Sequence, residues 1–159
     1  MRILGIDPGS HVTGYGLIEK NRNSFLYVRH GEVKPRKDLL LSQVLISIYQ
    51  QLSALIKETA PDVIAVENIF YGKNVRSLIK QAQVRGLVIF TGANQNIPIF
   101  EYTPLEIKQA VVGYGRAEKR QVQMMVKAIL KLSTLPSADA ADALAVAICH
   151  ANFNKEHPI

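Results

Sequence analysis

Apolar residues change their spacing along this chain, and the changes mark its elements. "RILGID" (2–7) is a continuous apolar run that ends on an acid and meets Pro8 and Gly9, the pattern of a buried strand. "VTGYGLIEK" (12–20) and "SFLYVRHGEVK" (24–34) follow, separated by the polar turn "NRN", which predicts antiparallel hairpins. From 36 to 60 the apolar residues fall at 41, 44, 45, 48, 52, 55 and 56. That is helical spacing and predicts one long amphipathic helix closed by Pro61. "DVIAVE" (62–67) is a second apolar run ending on an acid, expected to be a parallel strand covered on both faces.

A helix is predicted over 74–94, a fifth strand over 97–102, and a helix over 103–112. In this last one Thr103 can cap, Pro104 suits the first turn and Glu106 completes a capping box. A glycine-rich "GYGR" leads to a helix over 117–132, and Pro136 precedes a final apolar helix. The order is β-β-β-α-β-α-β-α-α-α, which suggests an α/β fold with one mixed five-stranded sheet and helices on its faces. A single domain over 1–159, with its last few residues frayed, suits the length.

Charge adds a direction. The net charge of +6 favours a polyanionic partner. No uncharged apolar run approaches the roughly 20 residues of a membrane helix, and "MRILGIDPGS" turns polar too soon for a secretory signal. The expectation is a cytoplasmic protein with no membrane association. The single cysteine, Cys149, lies in the apolar final helix and reads as a buried structural thiol.

The acids carry the chemistry. Asp7 and Glu67 end two strands that, if parallel neighbours, bring both carboxylates to the sheet edge where ligands of open α/β sheets bind. "PSADAADALAVAICHA" (136–151) puts Asp139 and Asp142 three residues apart on one helix face, among alanines small enough for close approach to a sheet. Taken singly, Asp7 is also a turn former, Glu67 a cap and Asp139 a first-turn acid facing the helix dipole. Asp142 has no such role. Gathered together, four carboxylates repel one another, and a hard divalent cation relieves that repulsion. Two such ions about 4 Å apart activate a water and stabilise the leaving oxygen in phosphodiester hydrolysis.

Four blocks of sequence, "GIDPGSHVTGYG" (5–16), "VENIFYGKN" (66–74), "FEYTPLEIKQAVVGYGRAEKRQV" (100–122) and "DAADALAVAICHA" (139–151), resemble the RuvC family of bacterial Holliday junction resolvases over nearly the full chain. The resemblance implies a ribonuclease H-like fold and a homodimer. It also implies an endonuclease that uses Mg²⁺, or Mn²⁺ in its place, to nick opposed strands of four-way junction DNA in recombination and repair. The family's catalytic, metal-holding acids map onto Asp7, Glu67, Asp139 and Asp142, and some members carry His at the position of Asp139. Work with the RuvA and RuvB branch-migration proteins, and a preference for a short T-rich sequence, are likewise implied by the resemblance alone.

Phe70 and Tyr71 follow Glu67, where aromatics either stack on unpaired bases or dock on the core. The resemblance favours base contact for Phe70 and leaves Tyr71 open. Lys108, Arg116, Lys119 and Arg120 surround the "VVGYGRAE" loop as candidate phosphate ligands. Of these, Lys108 and Lys119 match family positions that contact DNA. Arg76 and Lys80, four apart, extend the basic track. The histidines show no metal-ligand spacing. The 74–94 helix is apolar on more than one face, which leaves a stripe for a second subunit.

Three other readings remain. A YqgF-like RNA-processing enzyme of the same fold is opposed by the Phe70 region and the Lys108/Lys119 block. An actin-like ATPase needs two such domains. A noncatalytic junction binder has no use for the full acid set.

Overall fold

The computed structural model describes residues 1–22, 24–69, 74–153 and 157–159. Three strands come first, β1 (Arg2–Asp7), β2 (Thr13–Asn21) and β3 (Ser24–Val33). Helix α1 (Leu41–Thr59), strand β4 (Val63–Glu67), helix α2 (Val75–Ala93) and strand β5 (Ile99–Tyr102) alternate after them. Helices α3 (Pro104–Val112), α4 (Lys119–Ile129) and α5 (Ala138–Phe153) end the chain. The element order is the one the apolar pattern predicts.

The five strands form one sheet in the order β3-β2-β1-β4-β5. The β1/β2 and β2/β3 pairs are antiparallel, and the β1/β4 and β4/β5 pairs are parallel. The near-continuous apolar runs of β1 and β4 are explained by helices on both faces. Leu4, Ile6, Ile64 and Val66 enter one core with Ile48, Leu52 and Ile56 of α1 and Val84 and Val88 of α2. Ile3, Ala65 and Tyr102 enter the other, with Leu144 and Ile148 of α5 and Val122 and Val126 of α4. Each fully buried Leu or Ile contributes about 1.5–3 kcal/mol of apolar transfer to holding the layers together.

Helix α1 begins five residues later than the pattern suggested. Pro35 and the Arg36–Asp38 ion pair keep residues 36–40 in a loop, and Leu40 takes the cap position, its N–H donating to Gln43 Oε1 at 3.0 Å. The start of α3 follows expectation. Thr103 Oγ1 accepts from the Glu106 N–H, and Glu106 Oε2 accepts from the Thr103 N–H at 2.7 Å. Gly113, at φ +87°, ends that helix in the left-handed conformation that favours glycine. At the chain's end residues 157–159 are exposed, and the Ile159 N–H donates to the Ile99 carbonyl of β5.

Helix α5 packs directly on β1 and β2 and is covered on its other side by α3 and α4. That double burial explains why it is apolar nearly all round. The alanines supply half of the close approach. Glycines in the strands supply the other half: a Cβ added at Gly5 would stand 2.0 Å from the Ala143 carbonyl oxygen, and one at Gly14 would stand 2.0 Å from that of Asp139. Cys149 is fully buried within this layer. His150 is buried too, with Nδ1 2.9 Å from the Tyr102 hydroxyl, and lies in the core rather than with the acids.

Candidate active site

The parallel register of β1 and β4 pairs Ile6 with Val66, so the next residues, Asp7 and Glu67, leave the sheet side by side. Helix α5 then brings Asp139 and Asp142 over the same edge. All four acids line one open cavity of about 660 Å³. The loop after Asp7 is held by buried Thr13, whose hydroxyl donates to the Gly9 carbonyl at 2.7 Å.

Their electrostatics bear the mark of a charge cluster that nearby lysines only partly neutralise. Burial, with Glu67 and Asp142 nearby, pushes the Asp7 carboxyl up to about 8. Glu67 is raised by burial and by Asp142, while its hydrogen bond with Asp7, Lys119 and Lys108 work against the rise. The rise is larger in cause at Asp7, where burial and three neighbouring acids all act in one direction. Asp142 is raised by burial against the pull of Lys119, whose Nζ lies 3.6 Å from Asp142 Oδ2.

Among the described residues, no three acidic, His or Cys side chains are drawn tightly enough to enclose an ion as they stand. The acids instead surround a basin wide enough for cation, water and phosphate together. Burial and mutual repulsion favour the neutral form of Asp7, and the Lys119 ammonium stands 3.6 Å from Asp142, so the cluster is only partly compensated by the protein itself. An all-carboxylate donor set of this kind fits a hard divalent cation.

The basic candidates separate into two groups. Arg76, Lys80, Lys108 and Lys119 line the cavity with the acids, whereas Arg116 and Arg120 do not. Lys119 and Arg120 are adjacent on α4 and about 100° apart around its axis, so only one of them reaches the basin. Phe70 and Tyr71 lie outside the described residues. A residue that sequence alone did not single out, Glu32, ties down the acid-bearing helix. Ser137, just before α5, donates its hydroxyl to Glu32 of β3, and Glu32 is also paired with Lys34. The hairpin register sets Glu32 opposite Gly14, the residue against which Asp139 packs. Pairing the two strands in sequence would have pointed to it.

Comparison with known proteins gives a consistent result. A family model described as crossover junction endodeoxyribonuclease RuvC matches residues 3–150. The chain is 53% identical over 152 residues to the crossover junction endodeoxyribonuclease RuvC of Syntrophotalea carbinolica, covering 96% of this chain and 94% of that protein. It is 49% identical over 152 residues to the protein of the same description in Geobacter sulfurreducens, covering 96% and 93%. Among solved structures it is similar to Thermus thermophilus RuvC in complex with Holliday junction substrate. The TM-score is 0.90 and the identity 29%, over 97% of this chain and 94% of that one.

Proposed function

Because this chain belongs to the RuvC family of crossover junction endodeoxyribonucleases, we propose that Asp7, Glu67, Asp139 and Asp142 are the groups with which it cuts Holliday junctions. The activity is metal-dependent, symmetric hydrolysis of phosphodiesters in four-way DNA during recombination and repair. The observation that best supports the assignment is the meeting of four carboxylates from three elements in one cavity whose wall also carries Lys80, Lys108 and Lys119.

The four acids would hold Mg²⁺, two ions per site with Mn²⁺ as a substitute, and these when bound supply an activated water and neutralise the leaving oxygen. Because burial and the neighbouring acids favour the neutral form of Asp7, a cation held there would have to displace a proton from it, and its affinity would rise with pH. Lys119 leaves Asp142 for the incoming phosphate, and Lys108 neutralises the strand beside it. The buried ends of β1 and β4 keep Asp7 and Glu67 from turning away, which fixes their spacing before the substrate arrives.

Two cuts related by a two-fold axis call for a homodimer. Helix α2 offers the surface. Val75, Ile79, Ala82, Gly86, Phe90 and Ala93 are all exposed at spacings of three and four, with Val75, Ile79 and Phe90 each more than half exposed. A self-complementary apolar stripe of this kind suits a C2 interface. Work with RuvA and RuvB rests on the family resemblance. A cytoplasmic placement follows from work on DNA; separately, among the described residues no helix is long and apolar enough to cross a membrane.

The test is cleavage of a labelled four-way junction in Mg²⁺ by the wild type, Asp7→Asn and Asp142→Asn. Both variants should bind the junction and fail to cut it. Undiminished cutting by either would overturn the assignment.

A further inference from the structure

A second cavity, of about 510 Å³, lies in the angle between the end of β3 and the start of α1. Ser10, His11, Val12 and Lys80 line both cavities, so the second opens directly off the first. Lys108 and Lys119 belong to the first alone. The second groove is basic: "KPRK" (34–37) supplies Lys34, Arg36 and Lys37 to its lining together with Lys80, and among the described residues no Asp or Glu lines it. Its floor is apolar, made by Pro35, Leu39, Leu41 and Val44.

The cations of this groove are of two kinds. Lys34 and Arg36 are anchored, Lys34 by Glu32 and Arg36 by a two-pronged contact in which Nε and Nη2 reach Asp38 at 3.2 and 2.6 Å. The anchoring fixes where the two charges stand and leaves Arg36 Nη1 outside the pair. Lys37 and Lys80 have no carboxylate within ion-pair distance among the described residues. Pro35 restricts the backbone between Lys34 and Arg36. Preset cations over an apolar floor match a sugar-phosphate strand, which presents anionic oxygens at its edge and apolar sugar faces between them.

We propose that this groove is a second DNA-backbone site, in which Arg36, Lys37 and Lys80 hold phosphates of the strand as it runs on from the scissile phosphate. The strand is then gripped on both sides of the cut, by Lys108 and Lys119 on one wall and by the "KPRK" segment beyond the other. This rests on the junction-cleavage reading, since it assigns the path of the same DNA.

The experiment compares two charge-matched variants in EDTA, where binding is read without cutting. Arg36→Ala/Lys37→Ala removes two groove cations. Arg22→Ala/Lys57→Ala removes two from the opposite end of the molecule, the β2–β3 turn and the last turn of α1. The dependence of log affinity on log salt should become shallower for the groove variant by about 2 per protomer, hence by roughly 4 for the homodimer on its junction, at about 0.9 per phosphate lost, and should stay at the wild-type slope for the control. Ethylation of single phosphates next to the cut should weaken wild-type binding and lose that effect in the groove variant. Equal slopes for the two variants, or an ethylation pattern unchanged from wild type, would overturn the proposal. Lys37→Ala, which breaks no ion pair, repeats the test at half the slope change if the double variant melts early. A wild-type protein that neither binds nor cuts junctions would instead defeat the underlying reading, so the two failures are distinct.

Discussion

Replacing Asp7 by asparagine should abolish cutting and yet make the metal-free protein more stable. In the fold, burial and the nearby Glu67 and Asp142 raise the Asp7 carboxyl from 3.8 to about 8. A raised carboxyl favours folding fully below its unfolded value and loses that contribution as the pH climbs through its folded value. At pH 7 the gap above 3.8 is about three units, and at 1.36 kcal/mol per unit the wild type forgoes up to roughly 4 kcal/mol relative to a side chain that stays neutral. Asparagine is such a side chain, and its amide can donate to Glu67 as the protonated Asp7 does. Half of that ceiling, about 2 kcal/mol, corresponds to a Tm higher by roughly 4–8 °C in a chain of this size. The assay is thermal melting of both proteins in EDTA from pH 4 to pH 9. The difference should be near zero at pH 4, grow with pH and level off above pH 8. Saturating Mg²⁺ should shrink it, because binding to the folded wild type adds stability that the variant forgoes. An Asp7→Asn protein that melts at or below wild type at pH 8 without metal would refute the claim that the acids are in electrostatic conflict.

Gly14→Ala places a methyl group 2.0 Å from the Asp139 carbonyl oxygen. It should cost about 1–3 kcal/mol in denaturant midpoints and lower the cleavage rate by shifting Asp139, whereas wild-type rates would contradict the close seating of α5. Phe90→Asp puts a charge in the exposed stripe of α2 and should yield a folded monomer in analytical ultracentrifugation. A dimer of unchanged strength would move the interface elsewhere. His150 is held neutral, its pKa lowered to about 4 chiefly by burial, with Lys20 adding to the effect. Its contribution is complete above the unfolded value of 6.5 and is lost as the pH falls through 4, opposite in sign to Asp7. His150→Gln should therefore flatten the decline of urea midpoints between pH 6.5 and 4, and a wild-type decline no steeper than the variant's would rule this out.

What the sequence made legible, and what it did not, follows from the range of the interactions involved. Asp7 and Glu67 could be placed because each ends an apolar run, and an acid at the end of a buried strand has only the sheet edge to occupy. Asp139 and Asp142 could be placed because helical spacing is local. The start of α1 was misjudged because "RKDLLL" has helical composition, while the ion pair that holds Arg36 to Asp38 in a loop leaves no periodic trace. The seating of α5 was read from its alanines alone. Gly5 and Gly14, which face it, belong to strands whose partner helix lies more than 120 residues away in the chain. Arg120 was grouped with Lys119 by charge, and only the turn of α4 separates them. Phe70 and Tyr71 fall outside the described residues. Apart from the start of α1, the parts that escaped the sequence concern how one element meets another, and the chemistry depends on the same meetings. The conflict between Asp7 and Glu67 arises because two strands run parallel, and the ammonium stands against Asp142 because α4 packs on α5. A substitution that loosens either packing should therefore weaken metal loading before it unfolds the protein.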